Sequence, residues 1–269
     1  MKVPLHIVLA RRDRLAKLIE QERYLPIKEL CKRLDVSEAT ARRDLAALVH
    51  DGRITRTYGG ALSEFNDRFP SFRERRGQAS PGKVRIARQT LRLFVPGGTY
   101  FFDSGTTLFA VAEAFREAPV TPVKIVTSNL PVAEILATIP GVQVFLVAGQ
   151  LFHLQSTLLG EEAQRSIEFW QFDLALLSAE GMNADGLWNS QAEIVAQQKT
   201  VLRQSRQNVF CLDHTKLGRV APHFLIGWSE VGTLITDATP ARLEKAGIPT
   251  KTEALPLDSR TTDMPLHIL

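Results

Sequence analysis

The sequence predicts an α/β protein in two parts, a small helical N-terminal region and a larger region of alternating strands and helices. Its 269 residues, 44% of them hydrophobic, suffice for one large domain or two smaller ones. Charge is unevenly distributed: residues 1–92 hold 21 Lys and Arg against 11 Asp and Glu, whereas residues 93–269 hold 12 against 18. From Gly98 onward, runs of β-branched and aromatic residues alternate with helical segments, which is typical of an α/β domain.

The composition argues against several classes of protein. No apolar run approaches the ~20 residues that cross a bilayer, and no secretion signal opens the chain, so we expect a cytoplasmic protein that does not bind membranes. The two cysteines lie far apart in apolar patterns and the histidines are scattered, so neither a metal nor a cofactor is predicted. The basic front indicates a polyanionic partner, the alternative being a solvated charged surface.

Two amphipathic helices are predicted near the N-terminus. Between Arg12 and Tyr24, the apolar residues Leu15, Leu18 and Ile19 recur at i, i+3 and i+4. Pro26 can start a second helix, in which Lys28 lies off the apolar stripe. That stripe consists of Ile27, Leu30, Cys31 and Leu34.

A third helix begins at the stretch SEATARRDL, residues 37 to 45. Ser37 is a candidate N-cap, and the helix ends at Asp51-Gly52. Ala41, Leu45 and Leu48 recur at i, i+4 and i+7, so they face the core. The exposed side and the helix start then hold Glu38, Ala39, Thr40, Arg42 and Arg43.

Two short helices joined by a tight turn predict a helix-turn-helix motif, whose second helix enters the major groove of DNA. The following RITRTYGGAL, Arg53 to Leu62, predicts a hairpin that turns at Gly59-Gly60 and forms a wing. Arginine can pair with guanine edges or phosphates, and Ser and Thr with either. The candidate DNA contacts are Lys28, Ser37, Glu38, Thr40, Arg42, Arg43, Arg53, Arg56 and Tyr58; for Arg56 and Tyr58 the alternative is a solvated hairpin.

The stretch LDVSEATARRDLAALVHDGRITRTYGGAL resembles the N-terminal signature of the DeoR family of bacterial transcription regulators. The shared elements are a Val-Ser, a Thr-x-Arg-Arg-Asp-Leu, a Leu-x-x-x-Gly and a Gly-Gly-Ala at the family's spacing. Tyr58 departs from the family, which more often has His there. The resemblance implies a winged helix-turn-helix, with repression as the commoner mode and activation also open.

A polar, basic stretch follows the wing. Its prolines and glycines predict a linker over residues 63–82, and apolar spacing from Ile86 to Leu91 predicts a helix after it. We therefore expect a DNA-binding domain at 1–62, a linker at 63–82 and an α/β domain at 83–269. The linker's arginines are candidates for phosphate contacts, with a solvated linker as the alternative.

The second region predicts a mostly parallel sheet covered by helices. Its strands are predicted at TYFFDSG, VKIVTSN, VQVFLVAG, FDLALLSAEG, NVFCLD and GTLITD, and its helices at TLFAVAEAFRE, LPVAEILATI and AEIVAQQKTVLRQS. In such sheets, ligands bind beyond the carboxyl ends of the strands.

Small polar residues follow the first three of these strands, at DSGTT, TSN and AGQ. The free N–H groups of a helix start, together with threonine hydroxyls, favour phosphate, although each turn taken by itself is also typical of helix capping. The candidate anion-binding residues are Asp103, Ser104, Gly105, Thr106, Thr107, Thr127, Ser128, Asn129, Gly149 and Gln150. Farther along, Asp185, Gly186, Glu193 and Lys216 are candidates for hydrogen bonds to sugar hydroxyls, with a solvated surface as the alternative for Glu193.

The stretches FFDSGTT, IVTSNLPVA, GLW…AEIVAQQK and LDHTKLG resemble the sensor domain of the DeoR family. That domain is related in fold to ribose-5-phosphate isomerase and in many members binds a phosphorylated sugar. By position, the resemblance puts the DSGTT loop on the phosphate side with TSN beside it, and Asp185, Glu193 and Lys216 facing the sugar. Gln150 and TSN depart from the family's Gly-Gly and Thr-Asn pairs.

The leading hypothesis is therefore a DNA-binding transcriptional regulator, a repressor of carbohydrate-metabolism genes controlled by a phosphorylated sugar or related metabolite. Its expected partners are a double-stranded DNA operator, that effector and further copies of itself, because paired half-sites match a protein two-fold axis. The alternative is a sugar-phosphate isomerase-like enzyme with an appended DNA-binding module, supported by the polar groups Asp103, Asp185, Glu193, Asp213 and Lys216. Against it, LLSAEGMNADG lacks the Asp-Gly-Ala-Asp run of an active isomerase. An architectural DNA binder would leave the polar turns unexplained.

Overall fold

A computed structural model describes residues 4–22, 24–51, 54–57, 60–63, 72–76, 80–250 and 267–268. The chain divides into two compact units. One comprises Met1–Phe69 with Ala221–His223, and the other Pro70–Val220 with Phe224–Leu269. Within the ranges described, no helix is long and apolar enough to span a bilayer.

The first unit is a winged helix-turn-helix. Its elements are α1 (Leu5–Glu22), β1 (Tyr24–Pro26), α2 (Ile27–Leu34), α3 (Glu38–His50), β2 (Ile54–Thr57) and β3 (Gly60–Ser63). The strands form an antiparallel sheet in the order β1-β3-β2, with Thr57 opposite Gly60. The first helix was predicted to run to Tyr24, which instead begins β1. Strand β1 is an edge strand, which tolerates Pro26 although this residue has no N–H to donate. It forms the third strand of the wing sheet.

The core of the first unit comes from the predicted apolar stripes. The buried residues are Leu15, Ile19, Leu25, Leu30, Leu45, Leu48 and Ile54. One carboxylate is buried close to this core: Asp44 on α3 is 3% exposed. Arg11 Nε and Arg12 Nε lie 2.6 and 3.0 Å from its two oxygens. These two arginines tie α1 to α3 and compensate a charge that is costly to bury unpaired.

The second unit opens with helices and continues with alternating elements. Its first half contains α4 (Phe72–Arg76), α5 (Ser80–Thr90), β4 (Thr99–Phe102), α6 (Thr106–Glu117), β5 (Val123–Thr127), α7 (Leu130–Leu136), β6 (Val142–Leu146), β7 (Gln150–Phe152), β8 (Thr157–Leu159) and α8 (Glu161–Glu168). Its second half contains β9 (Leu174–Leu177), β10 (Gly181–Asn183), β11 (Gly186–Asn189), α9 (Ala192–Arg203), β12 (Asn208–Leu212), β13 (His223–Ile226), β14 (Thr233–Thr236), α10 (Pro240–Lys245) and β15 (His267–Ile268).

A seven-stranded sheet organises this unit, in the order β15-β14-β12-β9-β4-β5-β6. Every neighbouring pair in it is parallel. Both faces are buried: Phe101 and Phe210 belong to one apolar cluster, Tyr100 and Phe102 to the other. A parallel sheet buried on both faces reads as a continuous apolar run, which is why the sequence revealed its strands. Their carboxyl ends therefore meet at one edge.

Most of the predicted elements of this unit are confirmed, and the short ones were missed. All six predicted strands and all three predicted helices are present. The sequence did not indicate the β7–β8 hairpin, the small β10-β11-β13 sheet, α8 or α10. The missed strands lie outside the seven-stranded sheet, and their segments lack the continuous run of β-branched and aromatic residues that marked its buried strands.

Part of the predicted linker is helical. Helix α4 occupies residues 72–76 and α5 begins at Ser80, before the predicted start. Phe72 is buried and packs edge-on against Phe109 of α6, with ring centroids 5.4 Å apart. Arg85 of α5 pairs with the buried Asp237 after β14 at 3.0 Å. These contacts attach α4 and α5 to the rest of the second unit. The polar composition of the predicted linker gave no indication of them.

Candidate functional site

The start of α3 is shaped by its predicted N-cap. Ser37 has an extended backbone, and its Oγ accepts a hydrogen bond from the Thr40 N–H at 3.3 Å. The two hydroxyls are 2.9 Å apart, so they also bond to each other. Ser37 and Thr40 thus fix the first turn of the helix predicted to enter the major groove.

The adjacent arginines of α3 differ in what they contact. Arg42 is paired with Glu38 one turn earlier, Nε to Oε1 at 3.0 Å, and both side chains are about half exposed. Arg43 is exposed and forms no hydrogen bond or ion pair with another described residue. Lys28 on α2 is likewise exposed and unpaired within the described part of the chain. A DNA ligand would meet Arg43 without breaking an existing contact.

The wing candidates lie largely outside the described residues. Arg53 and Tyr58 are outside them altogether. Arg56 belongs to β2, but its side chain is not among those described. Their roles stay predictions.

In the second unit, polar residues follow five strands of the sheet at its carboxyl edge. They are Asp103, Ser128, Ser178, Asp213 and Asp237. Because all these strands are parallel, this edge gathers polar groups from distant parts of the chain.

Asp103 accepts hydrogen bonds from several residues at this edge and is only 2% exposed. Its Oδ2 accepts hydrogen bonds from Gln198 Nε2 at 2.6 Å and the Ser178 N–H at 3.2 Å, and its Oδ1 from the Ser104 N–H at 2.7 Å. Burial raises the pKa of Asp103 to about 6, although these hydrogen bonds act in the opposite direction. Gln198 also donates to the Ser178 carbonyl at 2.7 Å. No signal in the sequence marks Gln198, which is one polar residue among several on α9.

The DSGTT loop leads into α6 with an uncapped N-terminus. Gly105 is the N-cap residue, and it has no side chain with which to cap the helix. Its φ of 130° is one that residues with a side chain rarely adopt. Thr106 and Thr107 are buried, whereas Ser104 and Gly105 are partly exposed. First-turn N–H groups without a cap, approached over small residues, suit a phosphate group.

The TSN residues are fully buried, and two of them bond within the sheet and α7. Thr127 Oγ1 donates to the Phe102 carbonyl at 2.7 Å and accepts from the Asn129 N–H at 3.1 Å. Asn129 Oδ1 caps α7 by accepting from the Val132 N–H at 3.1 Å. These side chains therefore connect β5 to β4 and begin α7.

The remaining TSN contacts hold the turn between β7 and β8. Asn129 Nδ2 donates to the carbonyls of Gln155 at 3.3 Å and Ser156 at 3.2 Å. Ser128 Oγ lies 3.0 Å from Thr157 Oγ1, and the Ser128 carbonyl accepts from the Leu158 N–H at 2.8 Å. The side-chain hydrogen bonds of all three TSN residues are thus made inside the protein.

Lys216 lies in a group of charged side chains. Its Nζ is 3.3 Å from Glu180 Oε1. Burial by itself raises the pKa of Glu180, but the positive charges of Lys216, Arg75 and Arg219 outweigh it and hold the pKa below its usual range.

Lys83 of α5 belongs to the same group and is 5% exposed. Its Nζ donates to the Arg75 carbonyl at 2.9 Å. Burial lowers the pKa of Lys83; the negative charge of Asp213 opposes this, and the positive charges of Lys216 and Arg75 add to it. Lys83 was not predicted as a site residue, and Arg75 was assigned to a linker, because neither residue follows a strand.

Within the described part of the chain, no hydrogen bond joins the other effector candidates to this edge. Gly149 has a φ of 122°, and a Cβ there would lie 2.6 Å from the Leu159 carbonyl oxygen. Gln150 is exposed at the start of β7. The positive φ and the nearby Leu159 carbonyl both require a glycine at position 149, and its role in effector binding stays a prediction.

Asp185 and Gly186 form the turn between β10 and β11. The Asp185 N–H donates to Asn183 Oδ1 at 3.0 Å, and a Cβ on Gly186 would lie 2.1 Å from the Ile226 carbonyl oxygen. Glu193 is exposed in the first turn of α9. Among the described residues, no hydrogen bond or ion pair links these three to Asp103, Thr127 or Lys216. The same part of the chain contains no group of three or more His, Cys, Asp or Glu that could hold a metal ion.

Comparison with known proteins relates both units to one family. The family model of a DeoR-like helix-turn-helix domain matches residues 11–66, and that of the DeoR C terminal sensor domain matches residues 78–238. The glycerol-3-phosphate regulon repressor of Escherichia coli (strain K12) is 31% identical over 231 residues, 86% of this chain and 91% of that protein. The lactose phosphotransferase system repressor of Staphylococcus aureus (strain N315) is 31% identical over 213 residues, 78% of this chain and 84% of that protein.

Among solved structures, ribose 5 phosphate isomerase A from Neisseria gonorrhoeae aligns with a TM-score of 0.38 and 15% identity, covering 50% of this chain and 52% of that one. The sensor-domain model spans more than half of this chain, and the two repressors match it over most of their length. The protein therefore belongs to the DeoR family and is a DNA-binding transcriptional regulator.

Proposed function

We propose that this regulator represses genes of carbohydrate metabolism and that a phosphorylated sugar, bound at the carboxyl edge of the sensor sheet, controls its affinity for operator DNA. The observation that carries the proposal is the uncapped N-terminus of α6 at residues 104–107, at the edge where the buried Lys83 interacts with Asp213. An uncapped helix start and a buried cation both favour a dianionic group. The names of the two relatives refer to glycerol-3-phosphate and to a lactose phosphotransferase system, in agreement with this class of effector.

Arg43 is the residue we propose for base recognition. It is exposed on the capped helix α3, and no ion pair with another described residue competes for it. We propose that Arg42 and Lys28 contact phosphates, since Arg42 is engaged with Glu38 and Lys28 lies on α2. Ser37 and Thr40 fix the helix start and Glu38 pairs with Arg42, whereas Arg53, Arg56 and Tyr58 remain proposed wing contacts.

We propose that α4 transmits the effector signal. The N–H of Phe72 donates to the Leu154 carbonyl at 2.7 Å, in the turn that Asn129 holds. Arg76 pairs with Glu113 of α6 at 2.7 Å and lies 4.2 Å from the centre of the Phe109 ring. The helix whose N-terminus would bind phosphate therefore also holds the segment that follows the DNA-binding unit in sequence.

An effector changes DNA affinity only if it binds one conformational state better than another. We propose that effector binding at α6 changes the contacts that hold α4. We also propose that the DNA-binding domain ends at residue 62 and the sensor domain begins at residue 83, with α4 in the segment between them. We further propose a cytoplasmic homo-oligomer, a dimer or tetramer, because paired half-sites on DNA match a two-fold axis.

The test is fluorescence anisotropy of the full-length protein on labelled DNA from upstream of its own gene, against a scrambled duplex. Titrations are run with and without a panel of sugar phosphates, and light scattering gives the oligomeric state. We expect sequence-selective, salt-dependent binding that at least one sugar phosphate shifts. Equal binding to both duplexes, or no response to any compound, would contradict the proposal.

A further inference from the structure

One buried amide at the sensor edge has no assigned role. Gln155, in the turn between β7 and β8, is 5% exposed. Its Nε2 has no hydrogen-bond partner among the described residues. Buried donors are almost always paired, because leaving one unpaired costs the free energy of its lost hydration. Such a group is therefore a candidate for pairing with something outside the chain.

The turn itself does not depend on the Gln155 side chain. Asn129 Nδ2 holds the carbonyls of Gln155 and Ser156, and the Leu130 N–H donates to the Ser156 carbonyl at 3.0 Å. Ser156 has a φ of 53°, a left-handed conformation that is uncommon for a residue with a side chain. The surrounding hydrogen bonds thus impose this turn, and through its backbone they fix where Gln155 stands.

The turn lies next to the predicted phosphate loop. Asn129, which binds it, is bonded through its N–H to Thr127 Oγ1, and Thr127 Oγ1 is bonded to the carbonyl of Phe102. Phe102 directly precedes Asp103. Two hydrogen bonds therefore connect Asn129 to Phe102, the residue directly before the DSGTT loop.

We propose that Gln155 is an effector-binding residue whose Nε2–H donates a hydrogen bond to an oxygen of the bound sugar phosphate. This inference rests on the proposed function. The TSN residues are fully buried, and their side-chain bonds are made within the protein. They support the turn that carries Gln155. The residues of the TSN motif and the residue that contacts the ligand are therefore different.

The experiment uses three variants of the full-length protein. Gln155→Leu removes the donor at similar size, and Gln155→Glu replaces it with an anion. His153→Gln is the matched control, an exposed position in the same turn. Each is titrated calorimetrically with glycerol 3-phosphate, ribose 5-phosphate, fructose 1-phosphate, fructose 6-phosphate, galactose 6-phosphate and inorganic phosphate. The melting temperature of each variant is also measured without ligand.

We expect Gln155→Leu to weaken binding of the preferred sugar phosphate at least tenfold, and Gln155→Glu to weaken it further through repulsion of the phosphate. We expect His153→Gln to match the wild type. The ligand-free melting temperature of Gln155→Leu should equal or exceed that of the wild type, because a buried unpaired donor has been removed. If inorganic phosphate loses affinity in parallel, Gln155 binds a phosphoryl oxygen; if it does not, Gln155 binds a sugar oxygen.

If the wild type binds a sugar phosphate, two results would overturn this inference and leave the proposed function intact. One is affinity of Gln155→Leu within twofold of the wild type. The other is a lowered ligand-free melting temperature for that variant, which would make the amide structural. A wild type that binds no compound would overturn the proposed function, and the inference with it.

Discussion

The two units of this protein present their candidate ligand-binding residues in opposite ways. In the DNA-binding unit, Arg43 and Lys28 are exposed and unpaired within the described residues. In the sensor unit, Asp103, Thr127 and Asn129 are buried and already hydrogen-bonded. A helix that enters a DNA groove uses side chains on its surface, whereas a site at a sheet edge needs buried polar groups that support the ligand-binding groups. Residue type therefore predicts direct contacts better in the first unit than in the second.

The largest expected effect comes from Asp44, the buried carboxylate of the DNA-binding unit. It supports helix α3, which carries the exposed Arg43. Replacing Asp44 with Ala leaves Arg11 and Arg12 without their partner, and we expect the first unit to lose about 3 kcal/mol of stability. Calorimetry should show its transition lowered and the sensor transition unchanged. Glu29→Ala, which removes the exposed pair with Arg33, is the control and should leave both transitions in place. A sensor transition that moves equally with Asp44→Ala would remove the distinction between the units.

The next effect tests the buried carboxylate of the sensor unit. The pKa of Asp103 in the folded protein is about 6, above the ordinary value of 3.8, so the folded state binds more protons between these values. Stability contributed by this group is present below pH 3.8 and is lost as the pH rises through about 6. We expect the difference in unfolding free energy between wild type and Asp103→Asn to change by about 2–3 kcal/mol from pH 4 to pH 7, in favour of the variant at pH 7. Urea unfolding at both pH values measures it, with the exposed Asp185→Asn as control, and a pH-independent difference would show that Asp103 stays ionised.

The third prediction separates the two adjacent arginines. Arg43→Ala should weaken specific DNA binding by about 1–3 kcal/mol if the side chain contacts a base edge. Arg42→Ala should weaken binding to specific and scrambled DNA alike and reduce the salt dependence, since a phosphate contact carries no sequence information. Anisotropy titrations at several salt concentrations distinguish the two variants. Unchanged affinity of Arg43→Ala for both duplexes would make Arg43 an ordinary solvated residue.

The smallest effect concerns the capping serine. Ser37→Ala removes the acceptor for the Thr40 N–H, and we expect a loss of about 1 kcal/mol in the stability of the first unit. Ser37→Asn keeps a capping oxygen and should preserve that stability, so the pair separates the cap from any contact with DNA. Denaturant unfolding gives the stability. Equal losses in both variants would contradict the capping role.

The sequence predicted the large elements because they carry their own periodicity. The apolar stripe at Leu15 and Ile19 and the strand TYFF are both buried as expected. The hairpin of β7 and β8 was not predictable, since its strands have three residues each and their placement depends on Asn129. This is also why the sequence pointed to TSN and passed over Gln155.

The site shows the same limit. The phosphate loop was recognisable because Gly105 and the threonines directly follow a strand and begin a helix. Gln198 and Lys83 were not recognisable, since each lies on a helix and meets Asp103 or Asp213 only in the folded chain. Local signals predict where a ligand approaches, and contacts between distant segments decide which side chains it meets.

The most direct test of the central claim is reciprocal linkage between the two ligands. Operator affinity is measured with and without the sugar phosphate that binds the sensor unit, and the affinity for that compound is measured with and without operator. Because both quantities report one coupling free energy, we expect them to change by the same factor, of about 5-fold or more. Tight binding of both ligands with both ratios equal to one would contradict control of DNA binding by the effector.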